Sequence, residues 1–507
     1  MKPYITHNNI LVTDSTLDYF KAVVFSIPYN GVPSLRRPFY RNIAVFLQHV
    51  ICVSTCSRKN KKKAKIKANK KWSYSVPVPF ELGREKLPGV FKKSGPTNER
   101  AIEALASAGI IKLTGYSNVQ HSCREYAVSQ RFLRKLFGTD REAYLSRKDR
   151  YRYLTDIFTK RKSYSFDELI GVAIDRGQNA KHQQSKRDIP NAAFRELVVG
   201  VWNNLEPLEI NLDALLAYHR KHSTEKNKIF IFNFLSRLAE TGVNLVKESP
   251  LTVSYRQSYK TAYIGGRSFE VGAGFQSLPS NMKWACLARG VNYDIKGCQL
   301  EILRHELLSI GISAKSLEVL ETQYICRVLR IAEELVKQFR FSSVFNAGFV
   351  TLSLKSSTRR LLNRELGKVE AERVLKRWKH LLKPLRRDLA LLLDHYEGTA
   401  KTNRYGKCVT NAVGQSFNIT YKDVAARKRR KSDVMRRKLL SHMLQGLESQ
   451  AVYDYVASHK GICALEHDGF VSYEEVTDWS HPYLLIEKKH WRDFCNTQCP
   501  IDWAKLL

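Results

Sequence analysis

The chain has 507 residues, of which 84 are Lys or Arg and 48 are Asp or Glu, for a formal net charge of +36. With 43% hydrophobic and 11% aromatic residues it is apolar enough for roughly two to four cores, which excludes a disordered tail protein. An excess of positive charge along the whole length predicts a polyanionic partner, and the many aromatics suit base stacking beside phosphate contact; a merely solvated basic surface is the alternative. No apolar run approaches the ~18 residues of a membrane span, and the opening MKPYITHNNI lacks the apolar core of a signal peptide, so no membrane partner is expected. The ten Cys include two CxxxC pairs, Cys52/Cys56 and Cys495/Cys499, which read as ordinary reduced thiols and suggest a cytoplasmic setting.

In chain order, Phe46 to Cys56 is the most apolar early stretch. Arg58 to Lys71 then holds nine basic residues and marks the end of an N-terminal region over 1–75, either as a solvated linker or as a phosphate-binding strip. Thr97-Asn98 suits a helix cap, Ile102 and Leu105 share one helical face, and Gly109 suits the stop. Ile110 to Leu113 reads as a strand, Gly115 to Asn118 as a turn, and Cys123 to Val128 as the returning strand. This helix and hairpin, taken as residues 76–145, resemble the second half of a winged helix-turn-helix domain, which implies contact with a duplex site; a plain αβ subdomain fits the pattern as well. Residues 146–254 carry helical periodicity, as in Leu212 to Tyr218 and Ile229 to Leu238, and after Pro250 the pattern changes to strand and turn.

Two carboxylate segments stand out in the last half. Asp294 follows the strand-like Val291 and Tyr293 and precedes a helix that begins around Gln299-Leu300-Glu301. Asp468 lies in a His467-Asp468-Gly469 turn between two short apolar strands, a pattern that by itself suits an ordinary surface turn. Phosphoryl transfer asks for acidic oxygens that hold two divalent cations about 4 Å apart, with further cations around the triphosphate. Between them, Lys337, Phe341 and Phe345 recur every four residues along one helical face. By spacing alone, the two aromatics are better read as the core face of an amphipathic helix.

The order and spacing of these pieces resemble family A DNA polymerases. Asp294 with Gln299-Leu300-Glu301 is similar to motif A, Lys337 to Gly348 to motif B, and Leu465 to Asp468 to motif C, which the single-subunit RNA polymerases share. Gly266-Arg267 with Gln276 resembles the segment ahead of motif A, and Arg437, Ser441 and Gln445 resemble the helix ahead of motif C. The resemblance spans Tyr255 to Leu507. It implies an α/β (α+β) right-hand fold with palm, fingers and thumb: a helical thumb-like region over 146–254, and palm and fingers over 255–507, the fingers about 303–421. It implies two Mg²⁺ ions on Asp294 and Asp468, and nucleotide contacts from Lys337, Phe341, Phe345, Glu301 and Arg330. Primer–template contacts would come from Arg267, Gln276, Arg437, Ser441, Gln445 and His467.

This chain departs from the pattern in several places. Asp294 to Gln299 is two residues longer than usual, which puts the register of Glu301 in doubt. Glu333 stands where an arginine is usual, with Arg330 or Arg340 as substitutes, and Gly469 replaces an acidic residue. Phe345 replaces a tyrosine, and Asn346 a glycine. No exonuclease-like set of acids is evident before residue 250. The expected activity is template-directed DNA synthesis from dNTPs on a primed template, in the replication of a plasmid, phage or other mobile element, with a duplex origin site as a further partner. The alternatives are a DNA-binding replication initiator with a degenerate polymerase core, and an RNA-making primase or single-subunit RNA polymerase.

Overall fold

The computed structural model describes residues 10–56, 71–79, 87–91, 101–117, 123–137, 150–155, 163–177, 191–222, 225–345, 347–353, 356–403, 406–419 and 428–489. Helix and sheet are mixed, and the chain forms two compact units, one of residues 1–179 with 211–253, the other of 180–210 with 254–507.

The first unit is built on the helix Arg36–Cys56, whose Ile43, Phe46, Leu47, Val50 and Ile51 recur at helical spacing and are all buried. Phe46 meets Phe91 and Tyr126 edge-on, with ring centroids 5.6 and 5.4 Å away. A three-stranded antiparallel sheet places Cys123–Val128 between Val76–Pro79 and Ile111–Ser117. The helix Ala101–Ser107 precedes that hairpin, and Gly109 follows it at φ +69°, as the sequence suggests. The strand from Ile111 runs through the expected turn at Gly115 to Ser117, because a bulge between Leu113 and Gly115 lets pairing with Cys123–Glu125 continue. The turn itself, the cap at Thr97-Asn98 and most of the basic strip lie outside the described residues. Helices Phe166–Arg176, with a Ser165/Glu168 capping box, and Glu225–Thr241 pack together in this unit.

These units divide the chain elsewhere than the sequence boundaries. The described residues of 76–137 share one hydrophobic core with those of 10–56. The thumb-like span 146–254 is split, because the helix Ala192–Asn204 buries Phe194, Val198, Val201 and Trp202 in the core of the second unit.

In the second unit, β1 (Val291–Ile295) leads into α1 (Cys298–Ser309). Further on come α2 (Glu333–Phe345), the 31-residue helix α3 (Lys428–Ser458), and the strands β2 (Ile462–Leu465), β3 (Gly469–Ser472) and β4 (Ile486–Lys489). The four strands form one antiparallel sheet in the order β2-β3-β1-β4. Helices and a small three-stranded sheet occupy 322–418, where Trp378 is wholly buried and donates its indole N–H to Ser343 Oγ on α2 at 2.9 Å. That bond fixes one face of α2 against its neighbours. Among the described residues, no helix is long and apolar enough to cross a membrane.

Candidate active site

The pleat of β1 sends Tyr293 and Ile295 into the core and leaves Asn292 and Asp294 on the opposite face. Asp294 pairs with Gly469 across the sheet, and Ile295 N–H donates to the Asp468 carbonyl at 2.8 Å. Asp468 sits in the two-residue turn closed by Glu466 N–H donating to Gly469 O at 2.9 Å. The hairpin therefore places Asp468 beside Asp294, close enough for its charge to act on the Asp294 carboxyl. Gly469 explains one departure of the sequence. A Cβ there would lie 1.9 Å from Tyr293 O and 2.9 Å from Asp294 Cα, so no side chain fits while β3 is seated on β1.

The pair is electrostatically loaded. Burial, then the neighbouring Asp468, push the Asp294 carboxyl up to about 7, against the opposing pull of Lys489, whose ammonium pairs with Asp294 Oδ2. Burial and the Arg267 cation push the His467 imidazole down, favouring its neutral form, and its ring packs 4.7 Å from Phe269. Three buried polar atoms close to these acids in the chain have no hydrogen-bond partner among the described residues: Asn292 Oδ1, Gln299 Oε1 and His467 Nδ1. Unsatisfied buried atoms are costly, and a polar ligand would relieve that cost.

Around the pair lie ion pairs that the sequence did not announce. Glu448 on α3 is fully buried and accepts from Arg267 Nε at 2.5 Å and Nη2 at 2.7 Å, from Gln299 Nε2, and from Cys298 Sγ at 3.5 Å. Lys283 donates to both Glu466 oxygens at 2.6 and 2.7 Å. Lys489 lies next to Asp294 only through the register of β4, which aligns Asn292 with Lys489 and Asp294 with Glu487. Sequence offered no signal for these three partnerships beyond the residue types, because each joins segments far apart in the chain.

The other expected residues fall as follows. Gln276 is a clamp: its Nε2 donates to Ser268 O at 3.2 Å and Leu465 O at 3.0 Å, and its Oε1 accepts from Glu270 N–H. Glu301 stands in the first turn of α1, partly exposed, 3.5 Å from Arg304. Lys337, Phe341 and Phe345 all lie on α2, Phe345 partly buried; the side chains of Lys337 and Phe341 lie outside the described residues. Arg340 is tied to Leu320 O and Thr322 Oγ1, whereas Arg330 is exposed and caps the helix Thr322–Leu329 at φ +54°. Gln445 packs on Gly265, where a Cβ would lie 2.4 Å from Gln445 Oε1. Ser441 Oγ bonds back to the Arg437 carbonyl at 3.1 Å. Arg437, Arg436, Arg386 and Phe349 line a cavity of about 230 Å³ in which the Arg386 guanidinium lies 3.8 Å over the Phe349 ring.

No family model and no curated protein matches the chain. The site is therefore read from its own chemistry. Among the described residues, no group of three or more His, Cys, Asp or Glu side chains is placed to hold a metal ion. Two facing carboxylates without nitrogen or sulfur ligands suit a hard cation that completes its shell with phosphate oxygens and water, which is the habit of Mg²⁺ and not of zinc.

Proposed function

We propose that the chain is a template-directed nucleotidyltransferase of the DNA polymerase kind, extending a primer 3′ end with deoxynucleotides. The observation that carries this reading is the juxtaposition of Asp294, on a strand of an antiparallel sheet, and Asp468, in the adjoining hairpin turn, joined by the Ile295 N–H to Asp468 O bond, within a chain that also carries the Lys337, Phe341, Phe345 series on one helix. The +36 charge supports a nucleic-acid partner. The wider reading is of a right-hand fold with palm and fingers in the second unit, acting in the cytoplasm on primed DNA.

Asp294 and Asp468 would hold the two Mg²⁺ ions. When bound, Mg²⁺ supplies charge neutralisation at the triphosphate and acidifies the primer 3′-hydroxyl. Lys337 would pair with the triphosphate, and Phe341 and Phe345 would pack on the incoming base and sugar. Glu301 beneath Phe345 would crowd a 2′-hydroxyl. Arg267, held by Glu448, and neutral His467 would line the primer side, where a neutral imidazole leaves room for a hydrogen bond without repelling the Arg267 cation. Gln445 would join them at the primer terminus, and Ser441 and Arg437 would follow template or primer phosphates along α3.

The first unit supports a role in duplex binding. Its order of helix, strand, helix and two strands, with the last strand in the middle of the sheet, is compatible with a winged helix that reads an origin site on a plasmid, phage or similar element. The test is primer extension with Mg²⁺ and each nucleotide set, with Asp294→Asn and Asp468→Asn as controls. Loss of incorporation in both, with duplex binding retained, is the expected result. Near-normal turnover in either variant overturns the assignment, a wild type that extends only with ribonucleotides favours an RNA-making enzyme, and no extension with intact origin binding favours an initiator.

A further inference from the structure

We propose that Lys489 is a resident counter-ion of the carboxylate pair, one that a divalent cation must displace from Asp294. The inference rests on the reading of Asp294 and Asp468 as metal carboxylates. Four acids meet here, Asp294, Asp468, Glu448 and Glu466, against three cations, Arg267, Lys283 and Lys489. Two of those cations are locked. Lys283 spans both oxygens of Glu466 and is 14% exposed, and Arg267 spans both oxygens of Glu448 and is 18% exposed. Among the described residues, Lys489 instead makes one ion pair, with Asp294 Oδ2, and is 36% exposed. It is partly buried, with its ammonium on the carboxylate pair.

Register makes the choice of lysine specific. Lys488 and Lys489 are adjacent on β4, so the pleat sends them to opposite faces. Lys488 pairs with the exposed Glu475 at 3.1 Å, whereas Lys489, opposite Asn292, reaches diagonally to Asp294. A four-carbon stem on a partly exposed residue can swing an ammonium away without moving the strand. The ammonium offsets the repulsion between Asp294 and Asp468 and competes with a divalent cation for the same carboxylate oxygen. A nucleoside triphosphate changes that balance, because its phosphates add ligands for the cation and a new partner for the displaced ammonium.

The experiment is a titration of the full chain with Mn²⁺ alone, without nucleotide, at low salt, with free Mn²⁺ read by electron paramagnetic resonance. Lys489→Gln should bind Mn²⁺ about 10-fold more tightly than wild type, the scale set by a single and a double charge about 5 Å apart in a solvated site. Lys489→Arg keeps the cation and should show no tightening. Lys488→Gln, which removes the same charge from the other face, should leave the affinity unchanged. Thermal melts confirm that each variant is folded. If Asp294→Asn loses Mn²⁺ while Lys489→Gln binds as wild type does, or if Lys488→Gln tightens equally, this inference falls and the metal reading survives. If wild type takes up no Mn²⁺, or Asp294→Asn takes up as much as wild type, both fall together.

Discussion

Asp294→Asn should stabilise the protein while removing the proposed primer extension, and the gain should depend on pH in a defined direction. The Asp294 carboxyl moves from an ordinary value of 3.8 to about 7 in the folded chain, with burial as the main cause and Asp468 as the next. A raised value means that the acid favours the folded state fully below 3.8 and that this contribution is lost as pH rises through about 7. At pH 8, ionising Asp294 in the folded state costs at most about 4 kcal/mol relative to the unfolded chain. Asparagine avoids that cost and keeps nearly the same shape. A net gain of about 2 kcal/mol, or roughly 3 °C in Tm, is expected at pH 8 without divalent cations. By pH 5.5 wild type has regained about 2 kcal/mol by binding a proton, and the advantage of the variant should largely disappear. Adding Mg²⁺ at pH 8 should also narrow the gap, because only wild type keeps both carboxylates. Thermal unfolding of both proteins at the two pH values is the assay. An equal gain at both, or destabilisation at pH 8, refutes the claim that two facing acids strain this site.

Gly469→Ala should force β3 away from β1, costing about 1–3 kcal/mol or more and abolishing extension, because a Cβ meets Tyr293 O at 1.9 Å; a melt combined with primer extension checks it. Glu448→Ala leaves the partly buried Arg267 without its anion and should cost about 3–5 kcal/mol, whereas the double change Arg267→Met with Glu448→Leu should recover much of that loss. Glu301→Ala should raise ribonucleotide use by about 1–3 kcal/mol in discrimination, read as kcat/KM for dNTP against rNTP. Replacing Lys61, Lys62 and Lys63 with Gln should weaken duplex binding uniformly across sequences and lower the slope of log affinity against log salt by about 3 if all three touch phosphate.

The local elements that carry the candidate residues were legible because short-range rules suffice for them. Alternating apolar residues before Asp294, a His-Asp-Gly turn between two short apolar runs, and four-residue spacing from Lys337 to Phe345 each name an element without reference to distant chain, and the structure has a strand, a hairpin and a helix there. The stop at Gly109 was legible for the same reason. Domain boundaries were not, since the helical periodicity of 146–254 says nothing about which core a helix joins; Trp202 donates to Ser268 Oγ, 66 residues away.

The charge partners show the division most plainly. The sequence by itself determined a basic chain with two acids in strand-and-turn settings, because backbone preferences and side-chain periodicity act over a few residues. It did not determine that Asp294 would meet Asp468 and Lys489, that Glu448 would hold Arg267, or that position 469 would have no room for a side chain. Those facts depend on strand order and on a register fixed to one residue. A slip of one residue on β4 would turn Lys489 to the other face and bring Lys488 to the acids, with every local preference left intact.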